Sequence, residues 1–213
     1  MLASSSPRRR EIIRMLDVAV ACVSPKELET KPGPDEAVEP YVARLSLGKA
    51  KEVFLQNLSS VVIGADTVVV LEGMILGKPI DIKDATETLQ ALRGKTHRVV
   101  TGVAVLDPST GEADIVTRST IVSMRCYTNE EIADYVSRGQ PFDKAGGYAV
   151  QDPIFNPCEY IEGCYLNVVG LPLCDLLALL RRVEVNATIG AGCRLPDGCN
   201  DCPIVGEEKV SMS

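Results

Sequence analysis

Apolar residues along this chain fall alternately into short β-branched runs and into longer stretches with helical spacing. Residues 61–63 and 68–71 are strand-like runs, and Glu72-Gly73 supplies a turn that returns the second onto residues 74–76. Residues 99–106 and 115–126 are further strand candidates, separated by the turn-rich segment 107–111. Thr128 followed by Glu131 predicts a capping box for a helix bearing Ile132, Tyr135 and Val136, with Gly139 closing it. Asp84 and Glu87 open another helix, with Leu89 and Leu92 inside and Gly94 just past its end. A last helix is expected over about 172–182, with Arg181 and Arg182 at the end where the helix dipole favours cations. Strands and helices interleaved in this way predict an α/β fold with a mixed sheet. From Val185 onward the pattern dissolves into Gly, Pro, Asn and Cys, so the domain is expected to cover residues 1–183, leaving 184–213 as a cysteine-containing, poorly ordered extension.

Length and composition narrow this picture. A chain of 213 residues with 46% hydrophobic positions can bury a full core and sits at the upper end of one domain. No run approaches the ~18 consecutive apolar residues of a membrane span, and the N-terminus turns polar by Ser4, so a soluble, cytoplasmic protein is expected, without a membrane segment or signal peptide. The net charge of -7 argues against general nucleic-acid binding, which draws most of its affinity from basic surface. One small anionic ligand remains compatible, provided that a local basic cluster and a divalent cation offset the overall field. The eight cysteines are spread over an otherwise apolar chain and read as free thiols. Cys193, Cys199 and Cys202 lie close together, but a structural zinc site usually needs four ligands and the only histidine, His97, is far away in sequence.

In four places the local pattern asks for a partner. Ser4-Ser5-Ser6-Pro7 reads as a loop feeding a helix, with Ser6 as N-cap and Pro7 at the first helical position. Arg8, Arg9 and Arg10 follow at once, where the dipole disfavours cations by ~0.3 to 1 kcal/mol each, so the stretch is either an anion site or an exposed basic face. In a helix over about 41–56, the helical period stacks Tyr41, Val42, Leu45, Lys49 and Val53 on one face. Lys49 therefore needs a carboxylate or phosphate partner, or must snorkel to water. Asp66 is the only acid between Ser60 and Leu71 and lies in Gly64-Ala65-Asp66-Thr67, read as the end of a β run. A carboxylate there can hold a metal or activate water, or can simply shape a turn. Nearby, Gly77-Lys78-Pro79 puts another lysine in a tight turn. The fourth place is the segment from Asp143 and Lys144 to Gln151, whose paired glycines permit close backbone approach, or which is a hairpin with a polar end.

Together these stretches resemble the Maf family in order and spacing over almost all of residues 2–183. The resemblance runs through L-A-S-S-S-P-R-R-R, Glu29, L-S-L-G-K-A-K around Lys49, I-G-A-D-T-V-V-V, L-G-K-P, L-R-G-K-T-H-R-V-V-T-G-V, D-K-A-G-G-Y-A-V-Q, I-E-G and N-V-V-G-L-P. It implies a fold similar to inosine triphosphate pyrophosphatases, with two lobes around a nucleotide cleft, and hydrolysis of a nucleoside triphosphate to the monophosphate and pyrophosphate with a divalent cation. In that frame Ser6, Arg9, Lys49, Lys78 and Lys144 neutralise phosphates, while Glu29 and Asp66 hold the metal or orient water, Asp66 being the proton acceptor. A hard cation with oxygen ligands suits Mg2+ or Mn2+. A homodimer is a further expectation from the resemblance alone. Competing readings are a broader house-cleaning pyrophosphatase for modified nucleotides and a nucleotide-binding regulator of septum formation.

Substrate preference turns on three positions. Members resembling the pyrimidine type carry Arg, Thr and Gln where this chain has Arg8, Thr67 and Gln151, which points to dTTP and UTP. Uracil and thymine present acceptor, donor and acceptor on the pairing edge, which one amide can read with its own donor and acceptor. The chain also departs from the family: Asp152-Pro153 replaces the glycine-rich segment that usually follows the glutamine, Cys164 stands where Asp or Ser is common, and only a short strand is expected before the serine loop.

Overall fold

The computed structural model describes residues 1–26 and 30–199. In chain order the elements are β1 (Leu2–Ala3), α1 (Pro7–Ile13), β2 (Cys22–Val23), α2 (Val38–Phe54), β3 (Val62–Leu71), β4 (Met74–Leu76), α3 (Ile82–Leu92), β5 (Thr96–Leu106), β6 (Ala113–Met124), α4 (Asn129–Ser137), β7 (Cys158–Glu162), α5 (Tyr165–Val169) and α6 (Leu173–Arg182). They form an α/β fold on a seven-stranded sheet of order β2-β1-β3-β5-β6-β7, with β4 paired to β3. The sheet is mixed, as expected: β1 runs parallel to β2 and β3, whereas β3–β4 and β6–β7 are antiparallel.

The two apolar runs at 61–63 and 68–71 belong to one strand. β3 is continuous over ten residues, so Asp66 sits in mid-strand and not at the end of a β run. The intervening Gly-Ala-Asp-Thr looks like punctuation by residue type, yet ladder bonds and burial on both sides of it carry the extended backbone through. The turn that ends β3 is the one expected, with Glu72 and Gly73 both at positive φ before β4.

The chain divides into two compact units. Among the described residues the first comprises 1–26, 30–66, 101–118 and 164–199. One side of its strands is covered by α1, α5 and α6: Ile12, Ile13, Leu166, Leu173, Leu176 and Leu180 pack against Ile63, Ala65, Val103 and Val105. The period-2 alternation of the strands sends Val62, Ala104 and Leu106 the other way, where they meet Ala50 and Val53 of α2. Two glycines let α2 lie close. A Cβ on Gly64 would stand 2.1 Å from the Ser46 carbonyl oxygen, and one on Gly102 would stand 2.4 Å from that of Val42. The expected face of α2 is buried through Tyr41, Val42, Leu45 and Val53, with Ser46 and Ala50 added where the helix touches the strands. Arg118 and Asp175 form a two-pronged ion pair that fastens α6 to β6.

Residues 184–199 also pack within this unit. Asp17 and Thr188 exchange backbone and side-chain hydrogen bonds, Leu16 bridges Ile189, and Cys199 is buried. The seven described cysteines are free thiols; Cys202 lies outside the described residues.

The second unit comprises residues 67–100 and 119–163. The capping box of α4 is present in full: Thr128 Oγ1 accepts from the Glu131 amide and Glu131 accepts from the Thr128 amide. α3 begins earlier than its acidic residues suggest. Asp81 is the N-cap and accepts from the Asp84 amide, so Asp84 lies in the first turn. Between α3 and α4 an aromatic layer forms, in which Phe155 stacks on Tyr135 at a centroid distance of 4.4 Å and tilts against Tyr127 at 4.8 Å. No helix among the described residues is long and apolar enough to cross a membrane.

Candidate active site

Strand alternation decides which way Asp66 points. It shares its face of β3 with Val62 and Gly64, the face covered by α2. On α2, Lys49 follows Ser46 by three residues, and Ser46 is the residue on which Gly64 rests. The two charges consequently meet: Lys49 Nζ donates to Asp66 Oδ1 at 2.5 Å, with only 16% and 13% of the respective side chains exposed. Lys49 thus resolves its place in an apolar stripe by pairing with a carboxylate. In a contact so shielded from water the attraction is little screened but the desolvation cost of each charge is high, so removing either charge strands the other.

The serine–arginine segment supplies the neighbourhood of this pair. Ser6 is the N-cap residue of α1 and Pro7 its first residue, as the pattern indicates, although the Ser6 side chain makes no capping bond. Instead Ser4, which is buried, accepts from the Ser6 amide. Arg9 donates from Nε to the Gly170 carbonyl at 2.7 Å. Burial pulls its guanidinium below its ordinary range while the nearby Asp66 carboxylate pulls it back up. Arg10 donates to the Ser4 carbonyl and to Ser24 Oγ, so it braces the loop from behind. Arg8 and Arg9 are electrostatically coupled through the same stretch. Ser6, Arg8, Arg9, Lys49 and Asp66 therefore lie in one unit, and Arg9, Lys49 and Asp66 are in one electrostatic neighbourhood.

The other candidate residues belong to the second unit. Lys78 lies in the turn after β4, and that turn is pinned to the glycine pair: the Gly146 amide donates to the Gly77 carbonyl at 2.9 Å. Gly146 and Gly147 both have positive φ, and a Cβ on either would press on Val69 or Pro79 at about 3 Å. The close approach expected from these glycines is thus realised, and it brings the Lys78 turn against the Lys144 turn. Lys144 is nearly buried, with its ammonium on the Gln140 carbonyl and on Asp143 Oδ1. Thr67 follows Asp66 in β3, and Gln151 is exposed in a turn after the buried Tyr148 and Ala149. Glu29 lies outside the described residues.

Sequence patterns alone do not reveal several of these supports. The Gly170 carbonyl that holds Arg9 lies 161 residues away from it, and nothing local marks it. His97 is buried with Nε2 2.7 Å from Tyr148 Oη, and burial depresses its pKa to about 4. That contact ties β5 to the segment leading to Gln151.

As for a metal, no group of three His, Cys, Asp or Glu side chains converges among the described residues. Among the described residues Asp66 is the carboxylate found beside Lys49 and Arg9, and Mg2+ is commonly held by one or two carboxylates plus substrate phosphates. The donor set thus fits a hard cation that arrives with, and is completed by, a phosphate-bearing ligand.

Residues 1–183 match the model of the family described as Maf-like protein. Among curated proteins, the chain is similar to a dTTP/UTP pyrophosphatase of Dehalococcoides mccartyi (strain CBDB1), 38% identical over 98% of this chain and 92% of that protein. It is similar to proteins of the same name from Syntrophotalea carbinolica, 44% identical over 86% of this chain and 84% of the relative, and from Thermomicrobium roseum, 40% identical over 100% and 97%.

Proposed function

The chain belongs to the Maf-like family, and from that premise we propose that it hydrolyses nucleoside triphosphates to the monophosphate and pyrophosphate, with dTTP and UTP preferred. The observation that carries the reading is the shielded Lys49–Asp66 pair beside Arg9, a carboxylate held among cations where a polyphosphate needs neutralisation and water needs a base. The relatives named dTTP/UTP pyrophosphatase support the substrate class, and Arg8, Thr67 and Gln151 support the preference.

In this mechanism water attacks the α-phosphorus in line with the bond to the bridging oxygen. Lys49 holds Oδ1 of Asp66, leaving Oδ2 to accept the proton as the new P–O bond forms and pyrophosphate departs. Ser6, Arg9 and Lys49 neutralise charge on the phosphate oxygens, and Lys78 and Lys144 serve the same end. Lys144 exchanges its carbonyl and Asp143 contacts for phosphate. Asp66, together with Glu29 and the substrate phosphates, would hold Mg2+ or Mn2+, which supplies further charge neutralisation when bound. Gln151 reads the pyrimidine edge, donating to O4 and accepting from N3–H. The compartment that suits such a substrate is the cytoplasm, and a homodimer is the proposed assembly.

The test is pyrophosphate release from dTTP, UTP, CTP, GTP, ITP and 7-methyl-GTP, with Mg2+ or Mn2+ and with EDTA. Metal-dependent preference for dTTP and UTP is the expected result. Preference for another base would discard the three-residue reading, and no turnover of any nucleotide would overturn the activity.

A further inference from the structure

Gln151 is an exposed side chain in a turn, yet the pyrimidine reading requires it to discriminate finely. An amide rotated by half a turn exchanges donor and acceptor, and then suits cytosine as well as it suited uracil. Preference for dTTP and UTP over CTP therefore depends on a rigid frame around Gln151. The residues that follow it are held with unusual thoroughness.

Asp152 is the centre of that frame. Its side chain is 9% exposed. Oδ1 accepts from the Ile154 and Phe155 amides at 3.1 and 2.7 Å, which folds the chain back just after Gln151. Oδ2 accepts from Arg138 Nη1 at 3.3 Å. Arg138 is itself fixed at the end of α4, with Nε on Asp134 and the guanidinium 5.3 Å from the centroid of the Tyr135 ring. Its Nη2 is buried with no hydrogen-bond partner, and the π face of Tyr135 offers partial compensation. Tyr135 stacks in turn on Phe155, the residue whose amide Asp152 binds. From Arg138 through Asp152 and Phe155 to Tyr135 and back to α4, the circuit is closed. Arg125 adds a second hold, donating to the Phe155 and Asn156 carbonyls.

We propose that Arg138 and Asp152 are positioning residues for Gln151: their ion pair clamps the turn to α4 and fixes the orientation in which Gln151 meets the base. This rests on the reading of Gln151 as the base-edge contact. In this arrangement both residues act through the turn that carries Gln151. A merely structural clamp would lower turnover of all nucleotides alike when broken, whereas a positioning clamp alters selection among bases.

The experiment compares kcat and KM for dTTP and CTP in Gln151→Glu, Asp152→Asn, Arg138→Ala and Arg138→Lys, with Tm followed throughout. Asp152→Asn keeps an acceptor for the two amides and removes the charge that holds Arg138. The expected result is a KM for dTTP raised by ~10-fold with kcat changed by less than about 3-fold, and a dTTP:CTP preference compressed by ~10-fold, in Asp152→Asn and Arg138→Ala. Arg138→Lys recovers part of both, since it restores the charge without the fork. Should Gln151→Glu leave base preference unchanged, the edge reading fails and the clamp's purpose fails with it. Should Gln151→Glu shift the preference while Asp152→Asn and Arg138→Ala retain the wild-type ratio, or lose all nucleotides equally, the positioning role is overturned and the edge reading stands. If Asp152→Asn does not fold, Arg138→Lys decides by the same ratio.

Discussion

Asp66 and Lys49 are each a liability alone, since a charge this shielded is costly without its opposite. As a pair they satisfy each other, and in the proposed mechanism they act as base and phosphate-neutralising cation. Asp66→Asn is nearly isosteric and leaves Lys49 an amide acceptor, so it is expected to keep the fold at reduced stability while lowering pyrophosphate release by ~100-fold or more, the range lost with a general base. Unchanged circular dichroism with wild-type turnover would refute the role of Asp66. His97 carries a prediction of a different kind. Burial lowers its folded pKa from 6.5 to about 4, so between those values the unfolded chain binds the proton more readily. Stability is therefore present in full above pH ~6.5 and is lost as the pH falls toward ~4, by up to roughly 3 kcal/mol from this residue. Denaturant titrations of wild type and His97→Asn at pH 7, 5.5 and 4.5 should show a steeper loss in the wild type; parallel curves would mean that His97 does not titrate this way. In sequence, Lys49 and Asp66 could each be singled out, one by its place in an apolar stripe and the other as a solitary acid. That they choose each other could not be read, because the stripe allowed phosphate or water equally well.

Among the elements, α2 shows most directly how packing makes the site. Gly64 and Gly102 admit the helix backbone to the strand surface, and the depth of that contact sets the reach from Lys49 to Asp66. Gly64→Ala would place a methyl group against the Ser46 carbonyl and the Ala50 amide, so the helix must lift. The expected cost is about 1 to 3 kcal/mol, as for other overpacked sites, with kcat falling more than stability alone explains because ~1 Å of misplacement costs on the order of 100-fold. Thermal melts and turnover measured together check this, and an unaltered kcat would show that α2 does not govern the geometry. Thr128→Ala, by contrast, removes one cap from α4 and should cost ~1 kcal/mol with little change in kcat. Caps and turns of this kind were legible: Thr128 and Glu131, Glu72-Gly73 and Pro7 all stand where the pattern placed them. The continuity of β3 was not, because Gly-Ala-Asp-Thr has the composition of a turn and only its neighbouring strands hold it extended.

For the whole molecule, an acidic chain would need locally gathered cations to bind a polyphosphate; in the first unit Arg9 and Lys49 lie beside Asp66, and in the second the Lys78 turn is pinned to the Lys144 turn. With one described carboxylate at the site, a divalent cation is expected to bind firmly only together with nucleotide. Titration of Mn2+ into the protein should give saturable binding when a non-hydrolysable dTTP analogue is present and little without it; a stoichiometric site in the nucleotide-free protein would overturn this. EDTA should abolish turnover, and excess Mg2+ should restore it. The sequence by itself determined what depends on neighbours a few positions apart: the capping box of α4, the hairpin turn, the buried face of α2, and the motifs by which the chain resembles its family. Tertiary structure alone decided that Lys49 pairs with a carboxylate 17 residues on, that Arg9 is held by a carbonyl 161 residues away, and that Asp152 ties Gln151's turn to α4. The physical reason is the same in each case: the pattern shows which group needs a partner, but only the packing of distant segments determines which partner comes within reach.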